Sequence, residues 1–154
     1  MELINRLEQL DCSKIKKFSF DGIKTYARVV KIYDPDTITI IFEWINQMIK
    51  LNIRLDGIDA PELKSKIKSE SDACKKGINK LNELINDKII YVIFGKYDKY
   101  GRILARINTL EPIENELCCI NDYLLKYNYV RSYDGGKKVD WSADELNLTG
   151  SSNN

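Results

Sequence analysis

Residues 25–55 constrain the fold more tightly than any other part of the chain. From Thr25 to Tyr33, Tyr26, Arg28, Val30 and Ile32 alternate with Ala27, Val29 and Lys31, the two-residue period of a strand. Asp34-Pro35-Asp36 predicts a turn, because proline presets φ and aspartate bonds back to nearby backbone. Thr37 to Phe42 is a β-branched run, and Met48 to Leu55 alternates again as a third strand. Consecutive antiparallel strands with connections this short predict a small curled sheet.

The rest of the chain alternates helix and strand signals. Ser69 to Asp87 reads as a helix with Ala73, Gly77, Leu81, Leu84 and Ile85 on one face and Ser69 or Ser71 as its cap. Ile89 to Phe94 and Arg102 to Asn108 read as strands joined by the Tyr97–Gly101 turn. Leu117 to Tyr127 predicts a second helix, with Leu117, Ile120, Leu124 and Tyr127 on one side and Asn128 suited to the left-handed conformation at its end. Leu3, Ile4, Leu7 and Leu10 mark a short amphipathic N-terminal helix, expected to pack on the domain, with partner binding as the alternative. Residues 149–154 are small and polar and are expected to be disordered. Periodicity alone gives an α+β class; strands interleaved with helices, the first three consecutive, suggest a small barrel.

A chain of 154 residues is one domain by the size prior and long enough to bury a core. Its net charge is only +1, so any nucleic-acid binding must come from a local patch. Lys64, Lys66, Lys68, Lys75, Lys76 and Lys80 offer one, although a lysine run by itself reads as a solvated face. With no histidine in the chain, Ser-His-Asp, Cys-His and His-Asn-His catalysis are all excluded. Acid and base work falls to carboxylates, lysine, tyrosine or bound water. Cys12, Cys74, Cys118 and Cys119 have no CxxC spacing and read as free thiols in a reducing compartment. The N-terminus lacks a signal-peptide pattern and no stretch approaches a membrane span, so an intracellular protein without membrane contact is expected.

Three clusters carry the candidate chemistry: Asp34-Pro35-Asp36-Thr37, then Arg54-Leu55-Asp56-Gly57-Ile58-Asp59-Ala60-Pro61-Glu62, then Asp98-Lys99-Tyr100-Gly101-Arg102. They supply carboxylates for a hard cation, a spare carboxylate for a water and two arginine forks for a phosphate. Asp36 closes the first turn and Asp59 follows the third strand, so adjacent strand ends can bring them together. Glu62 follows Pro61, which stiffens its loop. The oxygen donors would admit calcium, magnesium or manganese alike.

In order, residue type and spacing, these clusters resemble the staphylococcal nuclease family, from about Lys24 to about Tyr133. The resemblance implies a five-stranded OB-type β-barrel with packed helices, spanning 24–148 after an N-terminal helical extension at 1–23. It implies Ca2+ held by Asp36, Asp59 and the carbonyl of Ala60, with Asp34 acting less directly. Arg54 and Arg102 match the phosphate-binding pair, Glu62 the candidate general base, and Lys99 and Tyr100 nucleotide contacts. Tyr133, with Tyr129 as its rival, falls where the family carries base- or phosphate-contacting tyrosines. The implied activity is calcium-dependent, sugar-nonspecific hydrolysis of DNA and RNA, preferably single-stranded, by a monomer, leaving 3′-phosphate and 5′-hydroxyl ends.

The chain departs from the family pattern in three places. Pro35 stands where glycine is usual, Ala60 replaces a frequent threonine, and the long C-terminal helix is cut to a turn or two near Trp141–Leu148. A catalytically silent barrel that binds single-stranded nucleic acid or protein is the alternative function. The joint presence of Asp36, Arg54, Asp59, Glu62 and Arg102 favours the enzyme.

Overall fold

The computed structural model describes residues 1–152; Asn153 and Asn154, the end of the expected disordered tail, lie outside the described residues. The elements run α1 (Glu2–Glu8), β1 (Lys24–Asp34), β2 (Thr37–Trp44), β3 (Gln47–Leu55), β4 (Ile58–Asp59), α2 (Lys68–Ile85), β5 (Ile89–Tyr97), β6 (Ile103–Thr109), α3 (Ile120–Lys126), β7 (Arg131–Ser132) and α4 (Ala143–Asn147). Strands β1-β2-β3-β6-β5 close into a barrel, with β5 returning to β1. Among the described residues, only the β3–β6 strand pairing is parallel. This is the expected α+β architecture, an OB-type five-stranded barrel with packed helices.

Alternating apolar residues fill the barrel: Val29, Ile38, Ile40, Ile53, Leu55, Val92 and Ile107 are almost wholly buried. One end is sealed by aromatic packing. Phe20 sits 5.2 Å from Phe94, 5.3 Å from Trp44 and 5.6 Å from Phe42 between ring centroids. Thus part of the expected N-terminal extension joins the core. The helix before it does not: α1 carries no buried residue, contrary to the expected packing of Leu3, Ile4, Leu7 and Leu10. The residue of this segment that joins the core is Phe20.

The main helix α2 buries Ala73, Cys74, Gly77, Leu81 and Ile85, close to the predicted face. Its start differs from expectation. Ile67 occupies the N-cap without a side-chain cap, while Ser71 Oγ donates to the carbonyl of Leu63 at 2.9 Å. The second helix, α3, starts three residues later than predicted, because Thr109 N–H bonds to Cys118 O at 3.0 Å and holds that segment against β6. Leu117 is therefore exposed. Asn128 ends the helix region at φ 54°, as its side chain suggested. The tail begins ordered: Gly150 N–H bonds to Tyr127 O at 2.9 Å, and Asn128 Nδ2 to Ser151 O at 2.8 Å. Among the described residues, no helix is long and apolar enough to cross a membrane.

Candidate active site

Arg54 organises the site. As a residue of β3 it lies between the barrel-facing Ile53 and Leu55, so its side chain leaves the barrel, yet it is only 4% exposed. The β1–β2 turn and the segment after β3 cover it. Arg54 Nη1 lies 2.7 Å from Asp36 Oδ2, and Nη2 lies 3.5 Å from Asp59 Oδ1. Nη2 also donates to the Ile58 carbonyl at 3.1 Å. Both carboxylates are buried, so the two acids expected to meet do meet, across one guanidinium.

Backbone bonds fix these groups in place. Asp36 O accepts from Leu55 N–H at 2.7 Å, and Asp36 Oδ2 accepts from Ala60 N–H at 3.0 Å. Asp36 Oδ1 accepts the Thr37 hydroxyl at 2.9 Å. The Asp34-Pro35-Asp36-Thr37 turn pairs Asp34 with Thr37 without positive φ at Pro35 or Asp36. Proline therefore fits this turn. Two buried polar residues missed in the sequence support the same region. Asn121 Nδ2 donates to Asp56 O at 3.0 Å and to Ala105 O at 3.2 Å, locking the turn that leads to Asp59. Glu70 accepts Glu62 N–H at 3.0 Å and Ser65 Oγ–H at 2.6 Å, pinning the loop that bears Glu62. Glu70 is the acid of a first helical turn that reaches back into its own loop, a pattern that an S-x-x-x-x-E spacing could have suggested.

Arg102 immediately precedes β6, the strand that pairs with Arg54's strand β3. Asp98 holds Arg102: Oδ2 accepts Arg102 Nε–H at 2.6 Å, and Oδ1 accepts the N–H groups of Tyr100 and Arg102 at 2.9 Å each. Gly101, at φ +79°, supplies the left-handed residue that this tight loop requires. Asp36, Arg54, Ala60, Glu62 and Arg102 thereby line one cleft of about 390 Å³, together with Asp34 and Lys138. Glu62 is exposed within it. A second cleft of about 330 Å³ shares Arg54 and Arg102 and is lined by Lys99, Tyr100 and Tyr133. Tyr133 lies with its ring centroid 5.8 Å from the Arg54 guanidinium, whereas Tyr129 is packed in the core.

The cleft is electrostatically loaded. Burial raises the Asp34 carboxyl above its ordinary value, with further upward pressure from Asp36 and Glu62. Burial, with Asp34 alongside, pushes the Cys74 thiol up to about 12. Asp59 alone of the expected metal-site residues does not line the first cleft; it lines an adjoining cleft of about 430 Å³ with Ala60, Glu62 and Lys138. Its Oδ2 lies 3.1 Å from Arg131 Nη2, and its Oδ1 lies 2.7 Å from Lys138 Nζ. The Lys138 contact is an ion pair without hydrogen-bond alignment, which leaves Oδ1 a buried acceptor with no hydrogen bond.

Among the described residues, no three acidic or cysteine side chains converge into a ready-made metal cage. The donor chemistry nonetheless fits a hard divalent cation: oxygen groups only, with one buried carboxylate oxygen, Asp59 Oδ1, that makes ion pairs but no hydrogen bond. Asp36, Asp59 and the Ala60 carbonyl are the groups that would hold it.

The model of the family described as staphylococcal nuclease homologue matches residues 52–147, which include Arg54, Asp59, Ala60, Glu62 and Arg102. The chain is 30% identical over 128 residues to an uncharacterized protein of Methanocaldococcus jannaschii, covering 70% of this chain and 59% of that one. It is 33% identical over 82 residues to an uncharacterized endonuclease of Escherichia coli, covering 53% of this chain and 47% of that one. The chain thus spans about half the length of the curated relatives it matches. With its barrel, its acidic turn and its two arginines in one cleft, the chain belongs to the staphylococcal nuclease homologue family.

Proposed function

We propose that this protein is a calcium-dependent, sugar-nonspecific endonuclease that hydrolyses DNA and RNA, with single strands preferred. The observation that carries the reading is the convergence of Arg54, Arg102, Glu62, Asp36 and Ala60 on one cleft. That the chain resembles a protein named as an endonuclease supports it. So does the adjoining cleft, where Tyr100 and Tyr133 offer sequence-tolerant stacking faces beside Lys99. The tyrosines stand next to Arg54 and Arg102, so a stacked nucleotide would bring its phosphate to both forks.

A calcium ion held by Asp36, Asp59 and the Ala60 carbonyl would supply Lewis-acid stabilisation of charge on a phosphoryl oxygen. The protein's own residues do the rest. Glu62 has an exposed carboxylate on a backbone held by Glu70, so it can accept a proton from a water aimed at phosphorus. Water adds, the bond to the 5′ oxygen breaks, that oxygen takes up a proton in place of the one the water gave up, and the products carry 3′-phosphate and 5′-hydroxyl ends. Arg54 and Arg102 stabilise the extra negative charge of the five-coordinate phosphorus. Arg54 is preorganised by three buried contacts, whereas Arg102, held by Asp98 near solvent, can follow the substrate.

The test is incubation of purified protein with single-stranded DNA, with calcium and then with excess chelator, beside a Glu62→Gln, Arg102→Ala double variant. Cleavage that requires calcium, yields 5′-hydroxyl ends and disappears in the variant is expected. Ends carrying 5′-phosphate, or cleavage that survives the double substitution, would overturn the reading.

A further inference from the structure

Resting on the calcium reading above, one contact takes the metal site further. Asp59 is 1% exposed and surrounded by three cations, which are not equivalent. Arg54 is also tied to Asp36 and to the Ile58 carbonyl. Arg131 is also tied to Glu145, to the carbonyls of Val139 and Asp140, and to the face of Trp141 at 4.2 Å. Lys138 is held differently. Its ammonium touches Asp59 Oδ1 at 2.7 Å without hydrogen-bond alignment, and it lies 5.8 Å from the Tyr133 ring. Its side chain is 41% exposed, while that of Asp59 is 2% exposed.

The two oxygens of Asp59 are also divided. Arg131 bonds to Oδ2, at 3.1 and 3.3 Å, and leaves Oδ1 to Lys138 and the more distant Arg54. Oδ1 is therefore the oxygen open to a metal, and Lys138 Nζ is the positive charge now resting on it. We propose that Lys138 is the internal counter-ion of the metal site: its ammonium neutralises Asp59 in the metal-free protein and is displaced when a divalent cation binds. Arg131 holds Oδ2 whether or not a metal is bound, and Lys138 supplies the close positive charge on the oxygen that Arg131 leaves. A dication and an ammonium on the same oxygen repel one another, so the two occupancies exclude each other.

The loop ahead of Lys138 turns at Gly135, at φ +90°, and is held at Gly136, whose carbonyl accepts the Tyr133 hydroxyl at 2.7 Å and whose N–H donates to Asp134 Oδ1 at 2.8 Å. The base of the loop is meanwhile fastened by Arg131 to the Val139 and Asp140 carbonyls. A swing of the four-carbon lysine stem suffices, with no rearrangement of β7 or α4. Once displaced, Lys138 remains on the wall of the cleft that holds Arg54 and Arg102.

Calorimetric titration of the intact protein with calcium chloride tests this without any activity measurement. Lys138→Met should bind calcium roughly three- to tenfold more tightly than the original chain, the scale of removing one partly exposed competitor from a buried acid. Lys138→Arg should stay within about twofold of the original. Lys137→Met makes the same change in net charge one residue away and should also shift affinity by less than about twofold. Calcium bound equally well by the original and Lys138→Met proteins would sink the counter-ion and leave the metal site standing, as would an equal gain in Lys137→Met. The absence of calcium binding in all four proteins would remove the metal site, and the counter-ion with it. Calcium bound by Lys138→Met but not by the original chain would support the proposal in its strongest form.

Discussion

Replacing Arg54 by methionine isolates what the central ion pairs do for folding. The guanidinium is 4% exposed and lies 2.7 Å from Asp36, 3.5 Å from Asp59 and 3.1 Å from the Ile58 carbonyl. Methionine fills similar space and leaves Asp36, whose side chain is 6% exposed, without its cation. Removing one partner of a buried pair costs about 3–5 kcal/mol, because the remaining charge stays desolvated. For a chain of this size each kcal/mol lowers Tm by about 2–4 °C, so a fall of about 6–20 °C is expected. The assay is thermal unfolding followed by circular dichroism, in chelator, at pH 7. Arg106→Met is the control. Arg106 lies 2.7 Å from Asp122, but the two side chains are 44% and 62% exposed, and an exposed pair is worth about 0–1 kcal/mol. Adding Asp36→Asn to Arg54→Met should recover part of the loss, since the stranded charge goes too. Equal destabilisation by Arg54→Met and Arg106→Met would refute the reasoning, for it rests on burial rather than on distance.

Other expectations follow from single contacts. Gly77→Ala, normally favourable inside a helix by about 0.5–1 kcal/mol, should instead destabilise by about 1–3 kcal/mol in urea unfolding, because the new Cβ would lie 2.5 Å from Pro35 Cγ. Although burial works against the Asp98 carboxylate, the Arg102 and Tyr100 N–H groups and the Arg102 guanidinium hold it below its ordinary value of 3.8. Its stabilising effect is therefore full above about pH 3.8 and lost as pH falls through the lower folded value. Asp98→Asn should cost about 1–2 kcal/mol at pH 7, and the difference from the original should narrow below about pH 3.8 in pH-resolved melts. Mass-spectrometric mapping after iodoacetamide at pH 8 should find exposed Cys12 alkylated first and Cys74 unmodified, since Cys74 is buried and its thiol is pushed up to about 12.

The sequence made the barrel legible because its strands are local signals, a period of two broken by turn residues, and the observed strands reach the predicted spans and pass them by a few residues. Helix starts were less legible. Ser71 could have capped α2 by type alone, but its hydroxyl is used by Leu63 O, a contact set by a loop whose course no local pattern encodes. Among the residues that line the first cleft, Arg54, Asp36, Glu62 and Arg102 were identifiable as candidates because each sits in a cluster with its neighbours in sequence. Glu70 and Asn121 were not, because each serves backbone groups that only the fold brings near. The same holds for Lys138, which is 79 residues from Asp59 in sequence and 2.7 Å from it in space. Pro35 shows how a local departure is absorbed at a distance. Proline in place of the family's usual glycine adds a ring to the acidic turn, and that ring occupies the space where α2 has no side chain, at Gly77. A turn with proline and a helix with glycine are thus one packing solution, read from two segments that look unrelated along the chain. The position of Asp36, and with it the contact to Arg54, depends on both halves of that solution.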